Sequence, residues 1–207
     1  MSGGAVSQPT SEAGEPRQRG RGRRPADQVR QEILAAAGNL LLEEGMAGFT
    51  IEKVAARAGA SRMTIYKWWP SKGALALDGY FAVVAPTLAF PDTGDIVADL
   101  TSQLVAFVHL MNDTTAGRVI SQLIAQSQTD SDLAAAYRQR YSGPRRALGV
   151  ETLNRAVSRG QLRADIDPES VIDQLWGACY HRLLIPDQPL TEEFVRTLVD
   201  NLIRGLR

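Results

Sequence analysis

Apolar residues recur at intervals of three and four along most of the chain, and no run of alternating β-branched residues indicates a strand. This pattern predicts an all-α fold. The first apolar stripe covers residues 29–44 and ends where Gly45 can close a helix. Two short helices are predicted to follow, beginning after Thr50 and after Ser61, whose hydroxyls can cap free amides. Ser71 can cap a fourth helix in the same way.

The rest of the chain is also predicted to be helical. Asp167 precedes Pro168, a cap followed by proline at the first helical position, and Thr191 precedes two acidic residues that favour the positive end of a helix. Pro144 should kink or interrupt the longest segment, because proline lacks the amide that a helix interior requires. The predicted helices cover residues 95–111, 114–127, 131–159, 168–185 and 192–205.

The segment from Ile51 to Trp68 has the spacing of a helix-turn-helix. Ala55 is small where two helices must cross, and Gly59 can adopt the positive φ of a tight turn. With Ile65 and Trp69 facing inward, the other side of the second helix can reach bases and phosphates in a major groove. An ordinary helical hairpin with the same turn is the alternative. The outward side carries Arg62, Met63, Thr64, Tyr66 and Lys67.

Charge distribution agrees with a nucleic-acid partner for this part of the chain. Basic and acidic residues balance at 23 each, but residues 1–72 hold 11 basic and 7 acidic side chains. The N-terminal third is therefore the candidate anion-binding part. Residues 1–24 are rich in Gly, Ser, Pro and Arg and have few apolar side chains, which predicts a disordered basic arm.

A further set of motif residues runs from the first cap to the start of the fourth helix: Thr50-Ile51, Val54-Ala55, Ala58-Gly59, Ser61, Thr64-Ile65-Tyr66 and Trp69-Pro70-Ser71-Lys72. This set resembles the signature of the TetR/AcrR family of bacterial transcriptional regulators. The resemblance is strong over residues 26–75 and extends beyond them only in helical layout and length. It implies an all-α homodimer with a three-helix DNA-binding head and a ligand-binding body.

The resemblance also implies roles by position. Thr50 would meet a phosphate, and Arg62, Met63 and Thr64 would approach bases, although Met63 could instead pack against the first helix. Trp68 stands where histidine or arginine is more usual and can donate only through its indole nitrogen. The predicted DNA-binding set is Arg21, Arg23, Arg24, Thr50, Ser61, Arg62, Met63, Thr64, Tyr66, Lys67, Trp68 and Lys72.

Further contacts to the DNA backbone are expected on both sides of the second helix of the helix-turn-helix, which we call the reading helix. The resemblance implies that Tyr66 and Lys72 hold the backbone there. In the arm, Arg21, Arg23 and Arg24 could follow phosphates or enter the minor groove. A solvated tail that touches DNA loosely is the alternative.

Aromatic and sulfur-containing residues in the C-terminal part could line an apolar cavity, with a few polar groups to orient a bound molecule. An ordinary core is the alternative. The predicted ligand-binding set is Phe107, Met111, Gln122, Gln126, Tyr137, Tyr141, Trp176, Cys179 and Tyr180.

The last two predicted helices carry wider apolar stripes than one core needs. We expect a second copy of the chain to cover the excess in a two-fold interface, and burial within a monomer is the alternative. The predicted interface consists of Val171, Leu175, Phe194, Val195, Leu198 and Leu202.

Catalytic and metal chemistry have little support in the sequence. His109 and His181 are the only histidines and lie in no metal or nucleophile motif, and capping accounts for Asp165 and Asp167. Cys179 is the only cysteine, so no disulfide can form within the chain. We therefore expect no enzyme activity, no metal and no cofactor.

The sequence thus predicts a cytoplasmic transcription regulator with no membrane segment. It has three parts: a disordered arm (1–24), a helix-turn-helix head (25–72) and a helical ligand-binding and dimerisation body (73–207). The expected activity is repression, released when a small apolar or aromatic ligand detaches the dimer from double-stranded operator DNA. The alternative is a helical ligand carrier or protein-interaction module whose N-terminal hairpin binds a protein.

Overall fold

The computed structural model describes Met1, residues 24–185 and residues 187–206. These residues form ten α-helices and no strand, which confirms the predicted all-α fold. The predicted arm lies outside the described residues, apart from Met1 and Arg24. The helices are α1 (Ala26–Gly48), α2 (Ile51–Ala58), α3 (Arg62–Trp68), α4 (Lys72–Val84), α5 (Ile96–Asp113), α6 (Ala116–Ser127), α7 (Ser131–Tyr137), α8 (Gly143–Ser158), α9 (Pro168–Leu184) and α10 (Glu192–Leu206).

Local capping determines where the first helices begin and end. Thr50, Ser61 and Ser71 each accept a hydrogen bond from the amide three residues later, at 3.2, 3.0 and 3.1 Å. Gly59 has a φ of 59° after α2, and Gly45 has a φ of 67°, which breaks α1 before its last three residues. The glycine stop and the three hydroxyl caps predicted from the sequence are therefore confirmed.

The predicted helix over residues 131–159 is interrupted in the structure. A π-helical turn over Arg138–Ser142 separates α7 from α8, and Pro144 lies in the first turn of α8. The Gly143 amide donates to the Arg138 carbonyl, five residues back, so the backbone widens just before the proline. The prediction of an interruption is confirmed, and its form is a π turn rather than a kink.

The tightest helix contact joins α1 to α4. A Cβ added at Gly79 would lie 2.9 Å from the Ala37 Cβ and 2.9 Å from the Gly38 amide nitrogen. The two helices therefore meet backbone to backbone at this point. One hydrophobic core runs from α1 into the C-terminal helices, and the predicted boundary at residue 72 falls where α4 begins rather than at a gap in packing.

The C-terminal helices pack around α5. Helix α5 contacts α6, α8 and α10, and α9 packs on α8, α10 and α6. Asp167 caps α9 by accepting hydrogen bonds from the Glu169 and Ser170 amides at 3.3 and 3.2 Å, as the sequence predicted. Among the described residues, none of these helices is long and apolar enough to cross a membrane.

We predict that Gly79→Ala lowers the free energy of unfolding by about 1–3 kcal/mol, because the added methyl overpacks the contact with α1. Gly177→Ala is the matched control, since it lies within α9 with no atom within 4 Å of an added Cβ. There the substitution should stabilise by about 0.5–1 kcal/mol through helix propensity. Urea unfolding at one fixed protein concentration measures both, and a stabilised Gly79→Ala would contradict the close contact.

Candidate functional site

Helix α3 is anchored by buried residues on one side. Ile65 and Trp69 have no exposed surface, whereas Met63 is 83% exposed and Tyr66 is 47% exposed. Arg62 and Lys67 are exposed as well. The helix therefore presents a continuous outward face of the width that a major groove admits. Met63 lies on this face and not against α1, which removes the packing alternative for this residue.

Arg62 is the only residue of the outward face with an ion pair in the part of the chain described. Its Nη1 lies 3.1 Å from Oε1 of Glu52, and both side chains are more than half exposed. Exposed pairs of this kind contribute little stability, so the guanidinium can exchange Glu52 for another acceptor. Thr64 is half-buried, with its hydroxyl oxygen 2.9 Å from that of Ser61.

The basic residues of α2 are directed toward α1 instead. Lys53 Nζ lies 2.5 Å from Glu44, and Arg57 Nη2 lies 2.7 Å from Glu43. The hydrogen bond from Arg57 lowers the pKa of the Glu43 carboxyl. These pairs are partly exposed and add little to the packing of α2 on α1.

A cleft of about 340 Å³ lies beside the N-terminus of α3. Arg24 borders it and donates to the Gly59 carbonyl at 2.7 Å. Trp68 borders it too, packed edge-to-face on Trp69 at 5.8 Å between ring centroids, and its indole N–H has no hydrogen bond to a described residue. Ser61, Thr64 and Lys67 complete the polar lining of the cleft. The predicted contacts Arg21 and Arg23 lie outside the described residues.

The remaining predicted DNA contacts differ in exposure. Thr50 is half-buried, and its hydroxyl is occupied as the cap of α2. Lys72, the first residue of α4, is exposed and makes no ion pair with a described residue. Both lie at helix N-termini, where backbone amides favour anions.

A second concave region is a cavity of about 250 Å³ within the C-terminal helices. Five of the predicted ligand-binding residues line it: Phe107, Tyr137, Tyr141, Trp176 and Tyr180. The sequence did not identify its other lining residues: Leu88, Phe90, Ser142, Arg145, Arg146, Ile172, Asp173 and Gly177.

The other predicted members of this set do not line the cavity. Met111 and Cys179 belong to the solid core, and burial raises the pKa of the Cys179 thiol to about 12. Gln122 reaches toward α1, where its side-chain oxygen accepts from the Met46 amide at 3.4 Å. Gln126 is exposed on α6. Residue type favours these four as ligand contacts, but their positions on α5, α6 and α9 direct them away from the cavity.

Arg145 is the principal residue that the sequence reasoning missed. Its Nη1 donates to the Leu88 carbonyl at 2.5 Å, and its guanidinium lies 5.1 Å from the ring centroid of Phe90. Arg145 follows Tyr141 by four residues, and residues at that spacing lie on one side of a helix, so the sequence could have indicated this residue. Phe90 lies in the loop before α5, where periodicity gives no information.

Three tyrosines line the same space, and Tyr80 packs behind one of them. The Tyr141 and Tyr180 hydroxyl oxygens are 3.4 Å apart, and Tyr80 packs edge-to-face on Tyr141 at 5.4 Å. Burial raises the pKa of Tyr80, Tyr137, Tyr141 and Tyr180, so all four phenols stay neutral at physiological pH. Their hydroxyls can donate hydrogen bonds but cannot balance a positive charge.

A carboxylate joins the helix-turn-helix to the wall of the cavity. Oδ2 of Asp78, on α4, accepts from Nε1 of Trp69 at 2.7 Å and from Nη1 of Arg140 at 2.7 Å. Trp69 ends α3, and Arg140 belongs to the π turn next to the cavity residue Tyr141. The Asp78 side chain is only 16% exposed, so this junction is shielded from solvent.

The predicted dimer residues separate into two groups. Val171, Leu175 and Val195 are buried in the chain's own core, so little of their surface remains for a second chain. Val171 and Leu175 lie on α9, which packs on α8 and α10, and Val195 lies on α10 itself. Phe194, Leu198 and Leu202 are half-buried on one side of α10 and leave apolar surface uncovered.

The histidines make surface contacts. His109 Nδ1 lies 2.9 Å from Asp113 and its Nε2 lies 3.0 Å from Glu192, which joins α5 to α10 and raises the pKa of the imidazole. His181 lies 3.8 Å from Asp187. Among the described residues, no group of three or more His, Cys, Asp and Glu side chains could hold a metal ion.

Two family models match the chain. The model described as bacterial regulatory proteins of the tetR family covers residues 33–78, and a tetracyclin repressor-like C-terminal domain covers residues 90–202. A crystal structure of the TetR family transcription regulator SCO0332 superposes with a TM-score of 0.83 and 58% identity, over 87% of this chain and 99% of that one.

Curated relatives agree with these matches. The uncharacterised HTH-type transcriptional regulator YdeS of Bacillus subtilis is 37% identical over 89% of this chain and 93% of its own length. The DNA-binding transcriptional repressor TetR of Mycobacteroides abscessus is 30% identical over 83% of this chain and 90% of its own. The chain therefore belongs to the TetR family of helix-turn-helix transcriptional regulators.

Proposed function

We propose that this regulator is a homodimeric repressor that leaves its operator when a small apolar or aromatic molecule fills the cavity of the C-terminal helices. The observation that carries the proposal is the Trp69–Asp78–Arg140 junction, which connects the reading helix to that cavity. The Mycobacteroides abscessus relative is named as a DNA-binding transcriptional repressor, which supports this direction of regulation. The protein-binding alternative for the N-terminal hairpin gains no support from the family match.

The exposed face of α3 supports docking in the major groove. Arg62 can form a bidentate contact with guanine once it leaves Glu52, and the Met63 side chain can meet a thymine methyl. Tyr66 and Lys72 can bind phosphates on either side, and the Trp68 indole N–H can do so from the cleft. A two-fold dimer would present two such helices to a palindromic or near-palindromic site.

Selection of genomic fragments by the purified protein should yield such a palindromic operator. With that operator, Arg62→Ala should cost about 1–3 kcal/mol and relax preference at one base pair, because a base contact is lost. Lys72→Ala should instead weaken binding to all DNA sequences alike. It should also reduce by about 1 the slope of log affinity against log salt concentration. Binding titrations at several salt concentrations measure both effects.

Arg163→Ala is the charge control for that experiment, since Arg163 lies in the loop between α8 and α9 and pairs with Asp165. It should bind as the wild type does. Unchanged affinity and unchanged base preference in both Arg62→Ala and Lys72→Ala would exclude the outward face of α3 as the reading surface.

The Asp78 junction supports communication between cavity and DNA. The carboxylate has one oxygen shared by a donor from the head and a donor from the π turn, so displacement of either donor changes the position of the carboxylate and the geometry of the other contact. Coupling of about 1–3 kcal/mol, typical of allosteric proteins, corresponds to roughly 5- to 150-fold changes in operator affinity. Coupling is reciprocal, so DNA binding must also alter the cavity side.

We predict that operator binding slows hydrogen exchange at the amides of Arg138–Ser142, although these residues lie on the cavity side of α4. In Asp78→Asn this remote protection should largely disappear, because the charged acceptor that joins Trp69 to Arg140 is lost. Asp113→Asn on α5, which removes an exposed acid paired with His109, should retain it. Equal protection in wild type and Asp78→Asn would contradict the proposed route.

The half-buried side of α10 supports dimerisation. Phe194, Leu198 and Leu202 follow one another at intervals of four, so they form a single apolar strip. Leu184 and Ile185, at the end of α9, are 37% and 50% exposed and add further apolar surface. A second chain that covers this surface would bury it in a self-complementary interface.

Leu198→Asp should convert the dimer to a monomer at micromolar concentration, because the interface would bury an unpaired carboxylate. Thr197→Asp, on the exposed side of the same helix, should leave the mass unchanged. Light scattering reports the mass and circular dichroism confirms that both variants stay helical. A monomeric wild type, or a dimeric Leu198→Asp, would exclude this side of α10 as the interface.

A further inference from the structure

The cavity contains a cation that no acidic side chain of the described residues neutralises. Three charged residues line the space: Arg145, Arg146 and Asp173. Arg146 is paired with Asp173, at 2.6 Å between Nη1 and Oδ1, and with Glu169. Arg145 forms a hydrogen bond only to the Leu88 carbonyl within the part of the chain described. Arg145 is therefore the one charged lining residue without a carboxylate partner among the described residues, because both nearby acids, Asp173 and Glu169, are paired with Arg146.

This charge is partly withdrawn from water. Burial lowers the pKa of Arg145, which reflects the cost of holding a guanidinium among apolar neighbours. The Phe90 ring face offers a weak attraction at 5.1 Å, and the neutral phenol of Tyr141 offers no counter-charge. An anionic ligand would recover part of the lost electrostatic energy, whereas a neutral ligand would bury the cation further.

The remaining walls select for a small flat molecule. Aromatic rings of Phe90, Phe107, Tyr137 and Trp176 border the space, and such rings favour an aromatic partner in stacked or edge-to-face geometry. The volume of about 250 Å³ lies below the range of roughly 300–1,000 Å³ usual for drug-sized ligands. One or two fused rings with a single polar group match this volume.

We propose that the cavity binds a small aromatic carboxylate, with the carboxylate against Arg145 and the ring system among the aromatic side chains. The inference rests on the proposed function and names the chemical class of its inducer. Arginine suits this role because its planar guanidinium offers paired N–H donors that match the two oxygens of a carboxylate.

Two probes of nearly equal shape test the inference: 2-naphthoate, which is anionic, and 2-naphthamide, which is neutral. By calorimetry, the wild type should bind the acid at least roughly tenfold more tightly, equivalent to about 1.4 kcal/mol. In Arg145→Gln the two affinities should fall within about twofold of each other. Arg145→Lys should retain a reduced preference. Arg138→Gln, which removes an exposed charge outside the cavity, should keep the full preference.

Equal wild-type affinity for the two probes, no binding of either, or an undiminished preference in Arg145→Gln would overturn the inference. The wild-type comparison decides alone if Arg145→Gln fails to fold. Operator affinity is measured separately with each probe. If 2-naphthoate binds in a way that depends on Arg145 but operator affinity is unchanged, the proposed carboxylate site is supported and the proposed release of DNA is contradicted. If the protein binds both probes with equal affinity and both release the DNA, the proposed ligand-induced release is supported and the proposed carboxylate site is overturned.

Discussion

The backbone contact between α1 and α4 is the constraint on which the rest of the structure depends. At Gly38 and Gly79 no side chain separates the two helices, so neither can slide or rotate without opening a gap in a close-packed core. Helix α1 also packs on α2, which carries the turn into α3. The orientation of the reading helix is therefore fixed relative to α4, and any displacement of α4 by the C-terminal helices is passed to the whole head.

Ion pairs within the head leave its positive charges in different surroundings. Arg24, Lys53 and Arg57 each pair with an acidic residue of α1, through partly exposed contacts that contribute little stability. Lys67 and Lys72 have no such partner among the described residues, and Arg62 has only an exposed one. The net charge of the N-terminal third indicates an anionic partner, and the fold shows which of these cations must leave a carboxylate before they bind that partner.

Local features were predictable from the sequence, and contacts between distant segments were not. The caps at Thr50 and Ser61 and the stop at Gly59 depend on residues within one turn, so their pattern was sufficient. The cavity depends on which sides of six segments converge: the loop before α5, α5, α7, the π turn, α8 and α9. Residue type alone therefore misplaced Gln122, which lies at the junction with α1, and missed Arg145, whose neighbours Leu88 and Phe90 are more than fifty positions away in the chain.

The π turn brings the two halves of the proposed mechanism together. Two consecutive residues of this turn make different contacts: Arg140 donates to Asp78 on α4, whereas Tyr141 lines the cavity. A widened turn has weaker internal hydrogen bonding than an α-helix and is a common feature of functional sites. A molecule that shifts the backbone at Tyr141 also shifts Arg140, since one peptide unit joins them. Because the Trp69 indole shares the Asp78 oxygen with Arg140, that movement changes the support of α3 directly. The π turn is thus the proposed route by which a molecule in the cavity, remote from the DNA-binding face, would change the contacts that hold α3.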